Sequence, residues 1–119
     1  MRNDLRIIKY YFLRMEKTAK IYRISNDVND RFYIGSTSQR LLSDRMWKHS
    51  SSSMDPKVSN FMCRLYQEMR RLGQFHFDIE LLEEFHYTDR KEIVMKEQGW
   101  MDYYIYVWDH ALNQRRAMR

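Results

Sequence analysis

The sequence predicts an α+β fold: a three-stranded antiparallel sheet flanked by helices, with an extra amphipathic segment at the N-terminus. Three observations carry this. Residues 20–25 and 31–36 are rich in β-branched and aromatic side chains, and the turn-forming run Asp27-Val28-Asn29-Asp30 separates them as in a hairpin. Phe75, Phe77, Ile79 and Leu81 alternate with His76, Asp78 and Glu80, the pattern of a half-buried third strand. Between and after these strands, apolar residues recur at helical spacing.

A chain of 119 residues with 44% hydrophobic and 15% aromatic content is one domain with a single core. Three glycines and one proline argue against disorder. Residues 1–14 read as an extension and residues 15–119 as the domain proper with a basic tail. The apolar stretch Leu5 to Leu13 is interrupted by Arg6 and Lys9, is too short to span a bilayer and lacks a small-residue cleavage site. It is read as neither membrane anchor nor signal peptide. The lone Cys63 excludes a disulfide framework and a cysteine-based zinc site, and fits an intracellular compartment, cytoplasm or nucleus of a host or virus. A net charge of +5 and a pI near 9.4 favour an anionic partner.

In chain order, the hairpin comes first, and Gly35 marks a place where the backbone lies close to another group. A helix from Leu41 or Leu42 to His49 follows, with Leu42, Arg45, Met46 and His49 on one face. Ser50 to Asp55 reads as a loop. A second helix starts with Asp55 as cap and Pro56 in the first turn. It continues through the stripe Val58, Phe61, Met62, Leu65, Met69 and Leu72, and stops at Gly73. After the third strand, Thr88-Asp89 with Glu92 signals the start of a third helix. Its apolar positions are Ile93, Val94, Trp100, Met101 and Tyr104. Glu97 lies four residues from both Ile93 and Met101, so it faces the core, where an unpaired carboxylate is costly. The chain ends on Asn113 and the basic residues Arg115, Arg116 and Arg119.

These residues form a kit for a phosphate ester. Hydrolysing a phosphodiester requires an activated water, neutralised phosphoryl oxygens and a stabilised leaving oxygen. Tyr22 can accept a proton if cationic neighbours lower its ordinary pKa of about 10. Arg45 offers a planar, fixed charge to the phosphate. Glu97 can hold a hard divalent cation whose other ligands are water and phosphate. Each also has an ordinary structural role: Tyr22 and Tyr33 as packing, Arg45 and His49 as a surface pair, Glu97 as a salt-bridge partner, with Arg45 a candidate. His76, His86 and His110 lie on separate elements without metal-ligand spacing.

The order of these pieces resembles the GIY-YIG nuclease family, in its small single-domain form similar to that of large DNA viruses. Lys20-Ile21-Tyr22 stands where the first motif lies, and Tyr33-Ile34-Gly35 matches the second in full. Asn26 to Asn29 and Ser36-Thr37 also resemble many members. Leu42 to His49 is similar to the family's helix, whose arginine is followed four residues on by histidine or tyrosine. Leu65-Tyr66 through Gly73 and Phe77 to Glu84 look like its second helix and third strand. Lys96-Glu97-Gln98 is similar to its metal-binding region and Leu112-Asn113 to its terminal asparagine. The resemblance covers roughly residues 15 to 117. Lys20 replaces a glycine, and Ser38 to Leu41 is a residue longer than usual.

The resemblance implies a DNA endonuclease dependent on Mg2+ or Mn2+ that leaves a 5′ phosphate and a 3′ hydroxyl. It assigns Tyr22 to water activation, shared or oriented by Tyr33, and Arg45 to the scissile phosphate. His49 would assist the nucleophile, and Glu97 would be the metal ligand. Asn113 would bind the phosphate backbone or support the site, and Arg115 and Arg116 are free to reach phosphates. The alternatives are a non-catalytic nucleic-acid-binding module of the same fold and a protein-interaction subunit using Trp47, Trp100, Trp108 or residues 1–14. A protein partner for targeting fits the first reading.

Overall fold

The computed structural model describes residues 5–9 and 17–113. Strand β1 (Lys17–Asn26) turns through an Asx-stabilised loop into β2 (Phe32–Thr37). There Asn26 Oδ1 accepts from the Val28 and Asn29 amides at 2.9 and 2.8 Å. The third strand, β3 (Phe77–Tyr87), pairs with the other side of β1, giving the all-antiparallel order β2-β1-β3.

As the middle strand, β1 is buried on both faces: Ala19, Ile21, Tyr22 and Ile24 have no exposed surface. Tyr22 and Ile24 pack against helices α1 (Leu42–Ser53) and α2 (Arg64–Leu72), with Leu65, Tyr66 and Met69. On the opposite face, Ile21 and Ile34 pack under helix α3 (Arg90–Tyr103) and a 3-10 segment Ile105–His110, with Phe32 and Met101. The single core expected from the sequence is thus two clusters, one on each side of the sheet.

Four local expectations need correction. Helix α1 continues past His49 through the serines. Ser53 Oγ satisfies the Ser50 carbonyl at 2.6 Å, and Arg70 Nη1 caps the Ser53 carbonyl at 2.7 Å. Asp55-Pro56 does not start a helix: Asp55 Oδ1 takes the Lys57 amide at 3.0 Å, and the Val58, Phe61 and Cys63 amides bond three residues back. Short polar side chains that bond their own backbone favour such successive turns. Gly73 does end α2, at φ 97°.

Phe75 is 96% exposed in a 3-10 turn, and β3 carries a bulge where the register to β1 shifts between Ile21 and Tyr22. Phe77 and Ile79 therefore face the α1–α2 side while Phe85 joins the α3 side, and Leu81 is left exposed. In α3, Asp89 caps the Lys91 amide at 2.9 Å and Glu92 reaches the Thr88 amide at 3.0 Å, as expected, but Val94 is exposed.

Residues 5–9 are helical with exposed Leu5, Ile7 and Ile8. The boundary placed at residue 15 and the candidate phosphate contacts Arg115 and Arg116 lie outside the described residues. Among the described residues no helix is long and apolar enough to cross a membrane.

Candidate functional site

The site starts from the register of the hairpin. Tyr22 stands opposite Gly35, and its ring crosses the glycine. A Cβ at Gly35 would overlap the Tyr22 hydroxyl and lie 2.8 Å from Tyr33 Cε1, so glycine is what lets the phenol lie there. Tyr33, two residues back, shares this face, with ring centroids 6.3 Å apart. Helix α1 lays Arg45 and His49 over the pair, one turn apart.

One phenol oxygen joins the helix to the sheet. Arg45 Nε donates to Tyr22 Oη at 3.1 Å, and His49 Nε2 lies 2.7 Å from the same oxygen. His49 Nδ1 lies 2.9 Å from the Tyr66 hydroxyl. Tyr22 has no exposed surface and His49 is 3% exposed, so an orphaned donor here would cost about 1–3 kcal/mol. The arrangement that orphans none has Tyr22 donating to Nε2 and Nδ1–H donating to Tyr66.

Burial dominates the ionisation of the cluster. It pushes Tyr22 up to about 12, more than Arg45 pulls it down, and it raises Tyr33 as well. The cationic neighbour Arg45 does act to lower Tyr22, but burial outweighs it, so the condition set for Tyr22 as a base on its own is not met. Burial, with help from Arg45 and Lys48, lowers His49 to about 3, so the imidazole is neutral across the working range.

Glu97 reaches the site from the other side of the sheet. Ser36 pairs with Ile21 and so faces α3, where its Oγ donates to Glu97 Oε2 at 2.7 Å. Burial raises the Glu97 pKa against the pull of that bond. Its charge is also among the influences raising both Tyr22 and Tyr33. Glu97 faces inward as its helical spacing predicts, but its partner is Ser36 and not Arg45. A cavity of about 320 Å3 joins the two sides: Ser36 and Arg45 both line it, together with Lys48 and Arg90.

Tyr22 therefore bonds both Arg45 and His49, Tyr33 packs beside Tyr22 and His49, and Ser36 holds Glu97 on the other face of the sheet. Asn113 is differently committed. Its Oδ1 accepts from the Ile34 amide at 3.0 Å and its Nδ2 donates to the Ile34 carbonyl at 2.7 Å. Of its two expected roles, backbone binding and site support, this geometry fits support. Sequence reasoning missed Tyr66 and Ser36. Tyr66 sits beside Leu65 and three residues before Met69, next to the apolar stripe of that helix, and Ser36 immediately follows the second motif.

Among the described residues no three His, Cys, Asp or Glu side chains converge on a common point. Glu97 alone still fits a hard divalent ion. Mg2+ retains several waters and needs only one or two carboxylates, and this carboxylate is half-buried with a single hydroxyl bond to one oxygen.

No protein-family model matches the sequence, and no curated protein matches it. The solved catalytic domain of intron endonuclease I-TevI, in a Glu-to-Ala mutant form, superposes with a TM-score of 0.66. The match is at 20% identity and covers 83% of this chain and 95% of that domain. At this identity the likeness is one of fold. The chain has the GIY-YIG nuclease fold, an α+β domain on a three-stranded antiparallel sheet.

Proposed function

We propose that this chain is a metal-dependent DNA endonuclease. The observation that carries the reading is a single buried phenol oxygen, that of Tyr22, bonded to both a guanidinium and a neutral imidazole. Packing alone does not require that convergence, and phosphodiester hydrolysis uses each part of it.

Tyr22 is a poor base taken alone, because burial opposes a phenolate. Coupled to His49 it need not become one. As the attacking water gives its proton to Tyr22 Oη, the phenol passes its own to His49 Nε2, and the charge settles on the imidazole. Arg45 holds a non-bridging phosphoryl oxygen, and a phosphate bound there offsets the Arg45 and Lys48 charges, the smaller part of what lowers His49 after burial. The water oxygen forms the new bond to phosphorus as the bond to the 3′ oxygen breaks; the 3′ oxygen takes a proton from solvent and His49 later returns its own to solvent, leaving a 5′ phosphate and a 3′ hydroxyl. Tyr33 orients the nucleophile beside Tyr22. Glu97 would hold the Mg2+ or Mn2+ ion, which when bound neutralises charge on the leaving oxygen.

The test is Glu97→Ala on supercoiled plasmid and on flap and branched DNA, with Mg2+ or Mn2+. Nicking is lost while DNA binding persists; full activity in this variant refutes the metal assignment. The complete burial of the Tyr22 hydroxyl favours one second reading, a nucleic-acid-binding module without turnover. Wild-type binding without cleavage in either metal decides for that module.

A further inference from the structure

A polyanion held at Arg45 has to leave the site over some surface. The cavity at Arg45 shares Ser38, Tyr87 and Arg90 with a second one of about 530 Å3, so the two form one elongated groove. Its cations are Arg45 and Lys48 at the reactive end, Arg90 in the middle, and Lys17, Lys20 and Arg40 beyond. Glu84 is its one carboxylate among the described lining residues, and it lies 3.6 Å from Lys20 Nζ. Lys20 is fixed further by the Gln39 carbonyl at 3.2 Å. Lys17, Arg40, Lys48 and Arg90 have no acidic partner among the described residues, whereas Arg23, Arg31, Arg71 and Lys96 elsewhere do. Ser36, Thr37 and Ser38 add hydroxyls to the same wall.

We propose that this groove binds the sugar–phosphate backbone of the DNA strand on one side of the scissile bond, with Arg40 and Arg90 as phosphate contacts. Charge unpaired within the protein, hydroxyls interleaved with it and an elongated shape are what backbone contacts use, and they fix register without reading bases. A small anion needs neither the length nor the connection to Arg45. The inference rests on the nuclease reading only in taking Arg45 as the point where the scissile phosphate sits.

The experiment compares wild type, Arg40→Gln with Arg90→Gln, the charge-keeping pair Arg40→Lys with Arg90→Lys, and a control, Lys57→Gln with Arg64→Gln, away from the groove. Binding of a labelled duplex is followed by anisotropy in EDTA across KCl concentrations, and cleavage is measured in Mg2+. The glutamine pair should bind at least 10-fold more weakly at low salt. Its salt slope should fall by about 0.9 for each phosphate the protein no longer neutralises. KM should rise more than kcat falls, the lysine pair should restore binding, and the control should match wild type. An unchanged slope and affinity in the glutamine pair, or an equal loss in the control, overturns the groove. In those cases a wild type that still cleaves leaves the nuclease reading standing. A wild type that binds with the expected variant effects but cuts in neither Mg2+ nor Mn2+ keeps the groove and removes the nuclease. A wild type that binds no DNA removes both.

Discussion

The Tyr22 oxygen is the atom on which the site turns, and its neighbours set what a substitution there does. Tyr22→Phe keeps the ring over Gly35 but strips the Arg45 and His49 bonds. Cleavage should fall roughly 100- to 10,000-fold, with about 1–3 kcal/mol lost in urea unfolding. His49 gives a pH prediction. The unfolded chain takes up a proton at His49 below about pH 6.5, whereas the folded chain refuses it until about pH 3. This contribution to stability is therefore whole above pH 6.5 and lost as the pH falls toward 3. The melting temperature of wild type should drop more steeply between pH 6.5 and 5 than that of His49→Gln; equal slopes would mean that His49 is not held neutral. At this scale the candidates themselves were legible, because Tyr22, Tyr33, Arg45, His49 and Glu97 occupy motif positions. The direction of the Tyr22 shift was not, since it depends on how completely β1 is covered on both faces.

At the scale of elements, β2 carries Tyr33 and Gly35 along the edge of the sheet. Residues 111–113 lie against that edge: Phe32 and Ala111 form a parallel bridge, the Leu112 amide bonds the Phe32 carbonyl at 2.6 Å, and Asn113 bonds Ile34 twice. The first half of the open edge, Phe32 to Ile34, is thereby covered. Asn113→Ala leaves the fully buried Ile34 amide and carbonyl unpaired. It should cost about 1–3 kcal/mol for each group by urea titration, and it should lower cleavage through Tyr33 and Gly35, the neighbours of the Ile34 it holds. A variant as stable as wild type would show the clamp to be dispensable. The hairpin, the α3 cap and the stop at Gly73 were readable because their signals are local. The β3 bulge, the extra turn of α1 and the turns at 55–63 were not. Each is decided by a distant partner or by competition between backbone and side chain, as Arg70 shows at Ser53.

For the molecule as a whole, the sheet divides two apolar clusters that share β1, with Ile24 in one and Ile21 in the other. Ile24→Ala removes volume from the α1–α2 side alone and should cost roughly 2–5 kcal/mol of a total near 5–15. Trp100 and Trp108 report on the α3 side, and Trp47 is exposed. In a Trp47→Phe background, tryptophan fluorescence and far-UV circular dichroism should still shift to one common midpoint, because neither cluster survives without β1. Separate midpoints would mean the two sides fold independently. The edge clamp has a consequence in time. Asn113 follows Ile34, the residue it secures, by 79 residues, so a ribosome releases both tyrosines long before the piece that fastens them. Nascent chains that stop short of Asn113 leave the hairpin's outer lane open, and any cutting capacity waits until residues 111–113 have emerged.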